Sequence, residues 1–428
     1  MDMSNPIEPN LTGADRLVLK NLLNDIELDR TEKDGPTQGN GVQQSNSDDK
    51  ETVQYLQALN SPGQSGFEPT VFLTWDIEDL KAHPTVNKWI LQPYIKFARK
   101  IVRVETDVVM LTHLILYFPT SVPSAILLFR HFHWIHGFFH WLMQSYYVGT
   151  YTLMMHQHIH MGGILNKNFW LFDELFPYLL NPLMGHTWNS YFYHHVKHHH
   201  VEGNGPDDLS STIRYQRDEL IDFLCYVGRF FFFIWLELPL YFARKGKLGF
   251  AFRAAFWEIA SYAMIYTFWK CVSWKATLFV LVLPLLQLRV GLMVGNWGQH
   301  ALVDEVEPTS DFRSSITLID VASNRFCYND GYHTSHHLHP RRHWREHPIA
   351  FIQQKARYSS ERALVFRNID YIMMTVMLLR KNYKYLAKCL VPIGDQKQMS
   401  LDEIAAMLRM KTQRFSEEEI RQKFNGGR

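Results

Sequence analysis

Polar positions dominate from the start of the chain to about Glu68, and the run 31–52 is rich in Asp, Gln, Asn, Gly and Ser with almost no aromatic residue. Such a run buries too little apolar surface to offset its ordering entropy, so residues 1–68 are expected to form a disordered tail or tether. Within them, 16–28 has the spacing of a short amphipathic helix. Residues 1–20 lack the unbroken apolar core of a secretory signal, which leaves membrane insertion to internal segments. From 69 to 103 the pattern is mixed, with Trp75, Trp89, Lys96, Arg99, Lys100 and Arg103 as an interfacial lead-in. Then 107–129 is apolar and nearly uncharged, interrupted only by Pro119 and Pro123. At ~1.5 Å per helical residue it can cross a ~30 Å hydrocarbon core. The run 132–155 follows at once, and the two read as a hairpin.

The stretch 169–184 is broken by Asp173, Glu174, Pro177, Asn181 and Pro182 and reads as lying in the membrane plane. Three more apolar runs follow at 223–242, 250–269 and 276–297. After Asp304 the chain is polar to its end. The apolar piece 369–379 is too short to span. Residues 400–409 and 415–424 read as surface helices, the second with Ser416 as N-cap and an acidic first turn.

Composition changes this picture in one respect. Lys plus Arg number 44 against 42 Asp plus Glu, so no field or basic stripe points to nucleic acid. Cys225, Cys271, Cys327 and Cys389 show no C-x-x-C spacing, which argues against a disulfide framework or thiolate zinc site and fits a reducing compartment. Histidine is the outlier, with 22 residues, five of them within 194–200. His156 and His160 are i, i+4 and share a helix face, as do His195 and His199, with His200 adjacent. His158 points elsewhere. The spacing of box two leaves His195, His198 and His199 open as a second register. His333, His336 and His337 occupy one face, and His300 ends the last apolar run. Roughly nine imidazoles exceed the four ligands of one tetrahedral zinc and imply two metals, with room for oxygen or water. Imidazole suits Fe, Cu, Zn and Ni alike.

One shared site constrains topology. If all three late runs crossed, His300 would face away from box two, so two cross. Arg229, Glu237 and Pro239 mark 223–242 as the in-plane one, since a centred charge costs ~2.5–3.5 kcal/mol to insert. Arg253, Glu258 and Lys270 weaken the case for 250–269 as well. His131, His133, His136 and His140 imitate box spacing, but ~30 Å of helix separates His136 from His156, so they read as packing or interfacial residues. Lone His83, His113 and His186 read as core or surface. Glu202, Asp207, Asp208, Asp304 and Glu305 are near enough to orient metal-bound imidazoles, although 203–208 also reads as a simple polar turn. No acid–base dyad or nucleophile triad is visible, so the metals must carry the chemistry.

The segments His156-x3-His160, His195-x3-His199-His200, Asn296-x3-His300 and His333-x2-His336-His337 resemble the histidine boxes of the integral-membrane fatty acid desaturase and hydroxylase superfamily. His199-His200-Val201 with Pro206-Asp207-Asp208 and Ser210-Ser211, Asn296-Trp-Gly-Gln-His300, and His333-Thr-Ser-His336-His337-x-His339-Pro340 are similar to the alkane ω-hydroxylase branch. This similarity selects His195, His199 and His200 in box two. It covers about 107–348. Box one carries Gln157 where the hydroxylases have Glu, and one hairpin precedes it where they have two, so a desaturase or another acyl-chain oxidase fits as well.

The resemblance implies a cytosol-facing non-haem di-iron centre, two Fe on His156, His160, His195, His199, His200, His300, His333, His336 and His337, with O2 as co-substrate. Its substrate would be a lipid or acyl chain, desaturated or hydroxylated. No fused redox segment is visible, so electrons would come from a separate protein of cytochrome b5, ferredoxin or rubredoxin type. Arg341, Arg342 and Arg345 would receive an acidic donor or form a solvated basic face. The expected fold is all-α, with about four spans plus in-plane helices and a cytosolic His-rich di-iron cap. The expected domains are a tail (1–68), a membrane desaturase/hydroxylase domain (69–348) and a cytosolic helical tail (349–428). A eukaryotic chain would reside in the endoplasmic reticulum. Two other readings remain: a zinc-dependent membrane hydrolase, needing only three His and a water, and a His-rich metal transporter or sensor, disfavoured because the boxes sit at span ends. The tail reading predicts that turnover survives deletion of residues 1–61.

Overall fold

The computed structural model describes residues 8–9, 11–33, 40–76, 79 and 83–424. In chain order the principal elements are α1 (Gly13–Lys33), α2 (Asn40–Asn60), α3 (Val108–Arg130), α4 (Trp134–Met161), α5 (Trp170–Leu183), α6 (Leu220–Arg244), α7 (Leu248–Thr267), α8 (Trp274–His300), β1 (Ile316–Asp320), α9 (His333–Leu338), β2 (Leu364–Arg367), α10 (Leu401–Met410) and α11 (Glu417–Phe424). The fold is all-α and polytopic; β1 and β2 form one short parallel pair among the described residues. Contacts divide the chain into two compact units that interleave along the sequence. One holds residues 1–100, 104–109 and 302–412; the other holds 101–103, 110–301 and 413–428.

The second unit carries the long apolar helices. Among the described residues α3, α6 and α8 are long and apolar enough to cross a membrane. For α6 this departs from the in-plane expectation. Arg229 donates to both carboxylate oxygens of Glu237 at 3.1 Å, so neither charge meets hydrocarbon alone and the cost of an isolated charge does not apply. Helices α4 and α7, expected to cross, carry more polar groups, including His140 and Gln144 in one and Arg253 and Glu258 in the other, and fall short of that apolarity. The α3–α4 hairpin forms as expected. Ser121 donates to Gln144 at 3.1 Å, and the Ser124 hydroxyl meets His136 Nε2 at 2.8 Å and His140 Nδ1 at 2.9 Å. Two of the four box-like histidines are thereby engaged in helix packing. Gly185, just before box two, has φ +83°, and a Cβ there would lie 2.2 Å from the Pro284 carbonyl, so only glycine lets this segment approach α8.

The first unit is built on a core that local composition conceals. Residues 1–68, expected to be a disordered tail, hold α1 and α2; positions 34–39 of the polar run lie outside the described residues. Leu11, Val18, Leu19, Leu22, Ile26 and Leu56 are buried against Ile319, Tyr332, Phe351 and Val365, among others. Val18, Leu22 and Ile26 recur every fourth residue, which makes one apolar stripe on an otherwise polar helix. Polar contacts reinforce the packing. Lys355 is buried against Asp25 at 2.5 Å and also pairs with Asp49. Tyr332 donates to Asp15 at 3.0 Å, and Arg325 donates to the Leu11 carbonyl at 2.9 Å. The C-terminal surface helices follow the sequence reading. Ser400 with Glu403 makes a capping box on α10, and Ser416 exchanges hydrogen bonds with Glu419 at the start of α11.

Candidate metal centre

Within the second unit, box one lies on the last turns of α4, and box two on a helical segment that follows Gly185. The segment Phe192–His199 is hydrogen-bonded i→i+5, and the His200 amide reaches the His195 carbonyl. Such widened turns are rare and concentrate at functional sites. The wider turn brings His200 beneath His195, with ring centroids 4.5 Å apart and their Nε2 atoms 3.0 Å apart. His198 is rotated away and accepts a hydrogen bond from the Leu209 amide at 3.1 Å. The structure brings His195, His199 and His200 together, while His198 is turned to the Leu209 amide.

The imidazoles of His156, His160, His195 and His200 converge, with donor nitrogens within 4.8 Å of one another. His156 lies 4.7 Å from His160 and 4.6 Å from His195, centroid to centroid, and His160 lies 4.8 Å from His200. Tyr191 stacks on His195 at 5.2 Å. His199 and His300 make a second close pair, 5.2 Å between centroids. His158, between His156 and His160 in sequence, turns away from them to the Asp173 carbonyl at 3.1 Å.

Asp208 holds this second pair from behind. It accepts from His199 Nδ1 at 2.8 Å, from the Ser210 amide at 2.8 Å and hydroxyl at 2.7 Å, and from the Asn204 amide at 3.2 Å. Burial alone would raise its pKa. The His199 interaction, with His198 and the Ser210 hydroxyl, outweighs burial and keeps the carboxyl well below the usual range. An ionised Asp208 fixes the proton on His199 Nδ1, which leaves the lone pair on Nε2. Glu202, Asp207 and Asp304, also weighed from sequence, serve elsewhere. Glu202 accepts from Tyr241 at 2.6 Å, Asp207 pairs with Lys245 at 2.7 Å, and Asp304 pairs with Lys411 at 2.6 Å in the other unit.

Sequence reasoning missed the scaffold of the loop between box two and α6. Asn204 has φ +56°, is buried, and accepts the Thr212 amide at 2.8 Å. Arg217 is fully buried and donates to the carbonyls of Ala301 at 3.0 Å and Ile213 at 3.2 Å. Asn296 reaches the Ser210 carbonyl at 3.0 Å and Tyr226 at 2.6 Å. These bonds stitch the loop to the end of α8, where Thr212 donates to the His300 carbonyl at 2.6 Å. A turn-like sequence hid all of them, and Asp218 and Glu219 directly after Arg217 gave no hint that its guanidinium binds backbone carbonyls instead.

Box three belongs to the first unit. His333, His336 and His337 lie on α9, with His333 and His337 4.5 Å apart. Asp311 lies 3.5 Å from His337 Nδ1, a carboxylate the sequence reading did not single out. Arg345 and Arg342, read as either a donor-docking face or a solvated basic face, are engaged within the first unit. Arg345 donates to Asn60 at 2.8 Å and Thr70 at 3.0 Å, and Arg342 to the Ser335 carbonyl at 3.2 Å.

The donor set fits a metal ion. It is composed of nitrogen ligands that suit Fe, Zn or Cu, with no thiolate in either group. Two imidazole nitrogens bound side by side at ~2.1 Å stand ~3 Å apart, as those of His195 and His200 do here. The sequence model of the fatty acid desaturase family matches residues 132–362, more than half of the 428. No curated protein and no solved structure matches the chain.

Proposed function

The chain belongs to the fatty acid desaturase family, and from that footing we propose a non-haem di-iron membrane oxidase of lipid chains. As a family member with three helices able to span a bilayer, it is a membrane oxidoreductase of the lipid desaturase or hydroxylase type. The observation that carries the finer reading is the convergence of His156, His160, His195 and His200 beside the His199–His300 pair, where α4 and the apolar helix α8 end. We assign these six imidazoles, with His333, His336 and His337 of box three, as the ligands of two irons. The box-three assignment rests on its motif and on family membership.

The bound irons would activate O2 and remove hydrogen from an unactivated C–H bond, using two electrons from a separate carrier. With loss of a second hydrogen the product is a double bond and two waters; with transfer of hydroxyl it is an alcohol and one water. The protein's own part is positioning. Asp208 orients His199, the loop stitched by Asn204 and Arg217 holds the end of α8, and Tyr191 fixes the plane of His195. The site faces the cytosol in this reading, on the endoplasmic reticulum of a eukaryotic cell, with an acyl tail arriving from the hydrocarbon.

Metal analysis of the purified protein tests the centre. About two Fe per chain is the expected result; one Zn with hydrolytic activity would instead support the hydrolase reading and overturn this one. Lipid profiling of cells expressing the wild type and a box-two variant identifies the product. A separate expectation concerns Asp208→Asn. Loss of the carboxylate behind a metal-bound imidazole is expected to weaken metal binding or activity ~10–100-fold. Asp207→Asn, which disturbs the pairing with Lys245, should stay near wild type. Equal metal affinity in Asp208→Asn and wild type would remove Asp208 from the site.

A further inference from the structure

Beside box two the second unit holds a partly open cavity of ≈ 60 Å³. One water needs ~10–15 Å³, so the space admits several atoms of a chain. Its apolar wall includes Phe230 and Ile234 of α6 and Leu288 and Leu292 of α8. Glu258 and Arg289 also line it. These two charges are committed to each other. Arg289 is in direct contact with Glu258 and donates to the Phe231 carbonyl at 3.3 Å, while Glu258 accepts from Tyr262 at 2.6 Å. The pocket therefore presents no uncompensated charge.

Two polar atoms in the same wall are left over. Ser190 Oγ and His194 Nε2 are closed off from solvent and have no hydrogen-bond partner. Ser190 and His194 are one helical turn apart, so both face one side of the segment. A buried hydroxyl and a buried ring nitrogen without partners are costly, and such pairs mark a place that a ligand or water completes. Tyr191, which also lines the cavity, stacks on His195, so the cavity borders the imidazole cluster directly.

We infer that this cavity is a recognition site for a neutral oxygen group on a lipid chain, an alcohol, carbonyl or ester oxygen, held between Ser190 Oγ and His194 Nε2. The apolar wall takes the adjoining methylenes. A free carboxylate is disfavoured because Arg289 is already neutralised by Glu258. The inference rests on the lipid-oxidation reading only in taking the occupant to be the chain that is oxidised.

The test is equilibrium binding to the purified full-length protein in phosphatidylcholine discs, corrected for partition into protein-free discs. The probes are 1-dodecanol, dodecane and dodecanoate. Dodecanol is expected to bind about tenfold more tightly than dodecane, the worth of one to two buried hydrogen bonds. Ser190→Ala is expected to retain dodecane binding, lose most of the preference for the alcohol, and unfold at the same or a higher temperature without ligand. His194→Gln, which keeps a hydrogen-bonding group, is expected to retain part of the preference. Equal binding of alcohol and alkane by the wild type would show that the cavity holds only water or apolar atoms and would overturn the inference. So would an undiminished preference in Ser190→Ala, or tighter binding of dodecanoate than of dodecanol. Binding is read without turnover, so failure of the oxidation reading would appear in metal content and lipid profiles and leave this measurement interpretable.

Discussion

Replacing His195 with alanine is expected to lower oxidation by more than ~100-fold and to strip bound iron. His195 lies nearest the middle of the imidazole cluster. Its ring is 4.6 Å from His156, 5.2 Å from His160 and 4.5 Å from His200, and it stacks on His199 at 5.6 Å. It therefore joins the four-imidazole group to the His199–His300 pair. Burial, followed by crowding from His200 and His156, holds its pKa well below the usual value, so the ring is neutral and ready to bind a cation. Alanine removes that donor, while the bonds of Asp208 and Asn204 that shape the neighbouring loop remain, so the variant should fold and insert normally. His158→Ala is the matched control. Its ring contacts Asp173, and its metal content should stay at the wild-type level. The measurements are iron per chain and product formed in cells. A His195→Ala protein that kept both iron and turnover would refute the ligand assignment; the same holds for His337→Ala in box three.

How much of this was legible in the sequence depended on whether the deciding partner was local. The pairing of His156 with His160 follows from i, i+4 spacing, and the outward turn of His158 follows with it. The register of box two did not follow, because i, i+4 geometry presumes a regular α-helix and Phe192–His199 is wound more widely. Family resemblance selected His200, and the wider winding packs it against His195. The in-plane reading of 223–242 counted Arg229 and Glu237 as separate charges, whereas two turns of helix bring them together. Arg342 and Arg345 were read as a surface because they form a basic run. Their partners Ser335, Asn60 and Thr70 lie up to 285 positions away. The polar N-terminal stretch hid its apolar stripe for the same reason, since Ile319, Tyr332 and Phe351 lie about 300 residues downstream.

That last point reverses an expectation drawn from composition. Deleting residues 1–61 was predicted to leave turnover intact; on the structure it is expected to cripple the unit that carries box three. The deletion removes Leu11, Val18, Leu19, Leu22, Ile26 and Leu56, each 6% exposed or less. At ~1.5–3 kcal/mol for each buried side chain, the gross loss is about 10–20 kcal/mol, partly offset by the entropy of ordering α1 and α2. That is comparable to the whole stability of an ordinary domain, ~5–15 kcal/mol. Lys355 would also lose its ion pairs with Asp25 and Asp49. Tyr332 would lose Asp15 directly before His333, so the damage reaches box three. The truncated chain is expected to aggregate, or to unfold roughly 10 °C or more below wild type with depleted iron. A single change isolates the packing: Leu22→Ala should cost ~2–5 kcal/mol. Asp15→Asn separates packing from charge. Burial pushes the Asp15 carboxyl up to about 7 from 3.8, so the folded state favours the protonated acid. Its stabilising effect is present below pH ~4 and is lost as pH rises through ~7. Asn keeps an acceptor for Tyr332 without the charge, so it should hold or raise stability at pH 8. Full-length midpoint and iron content in the truncated protein would show that α1 and α2 are dispensable after all, and would restore the view of this segment as a tether.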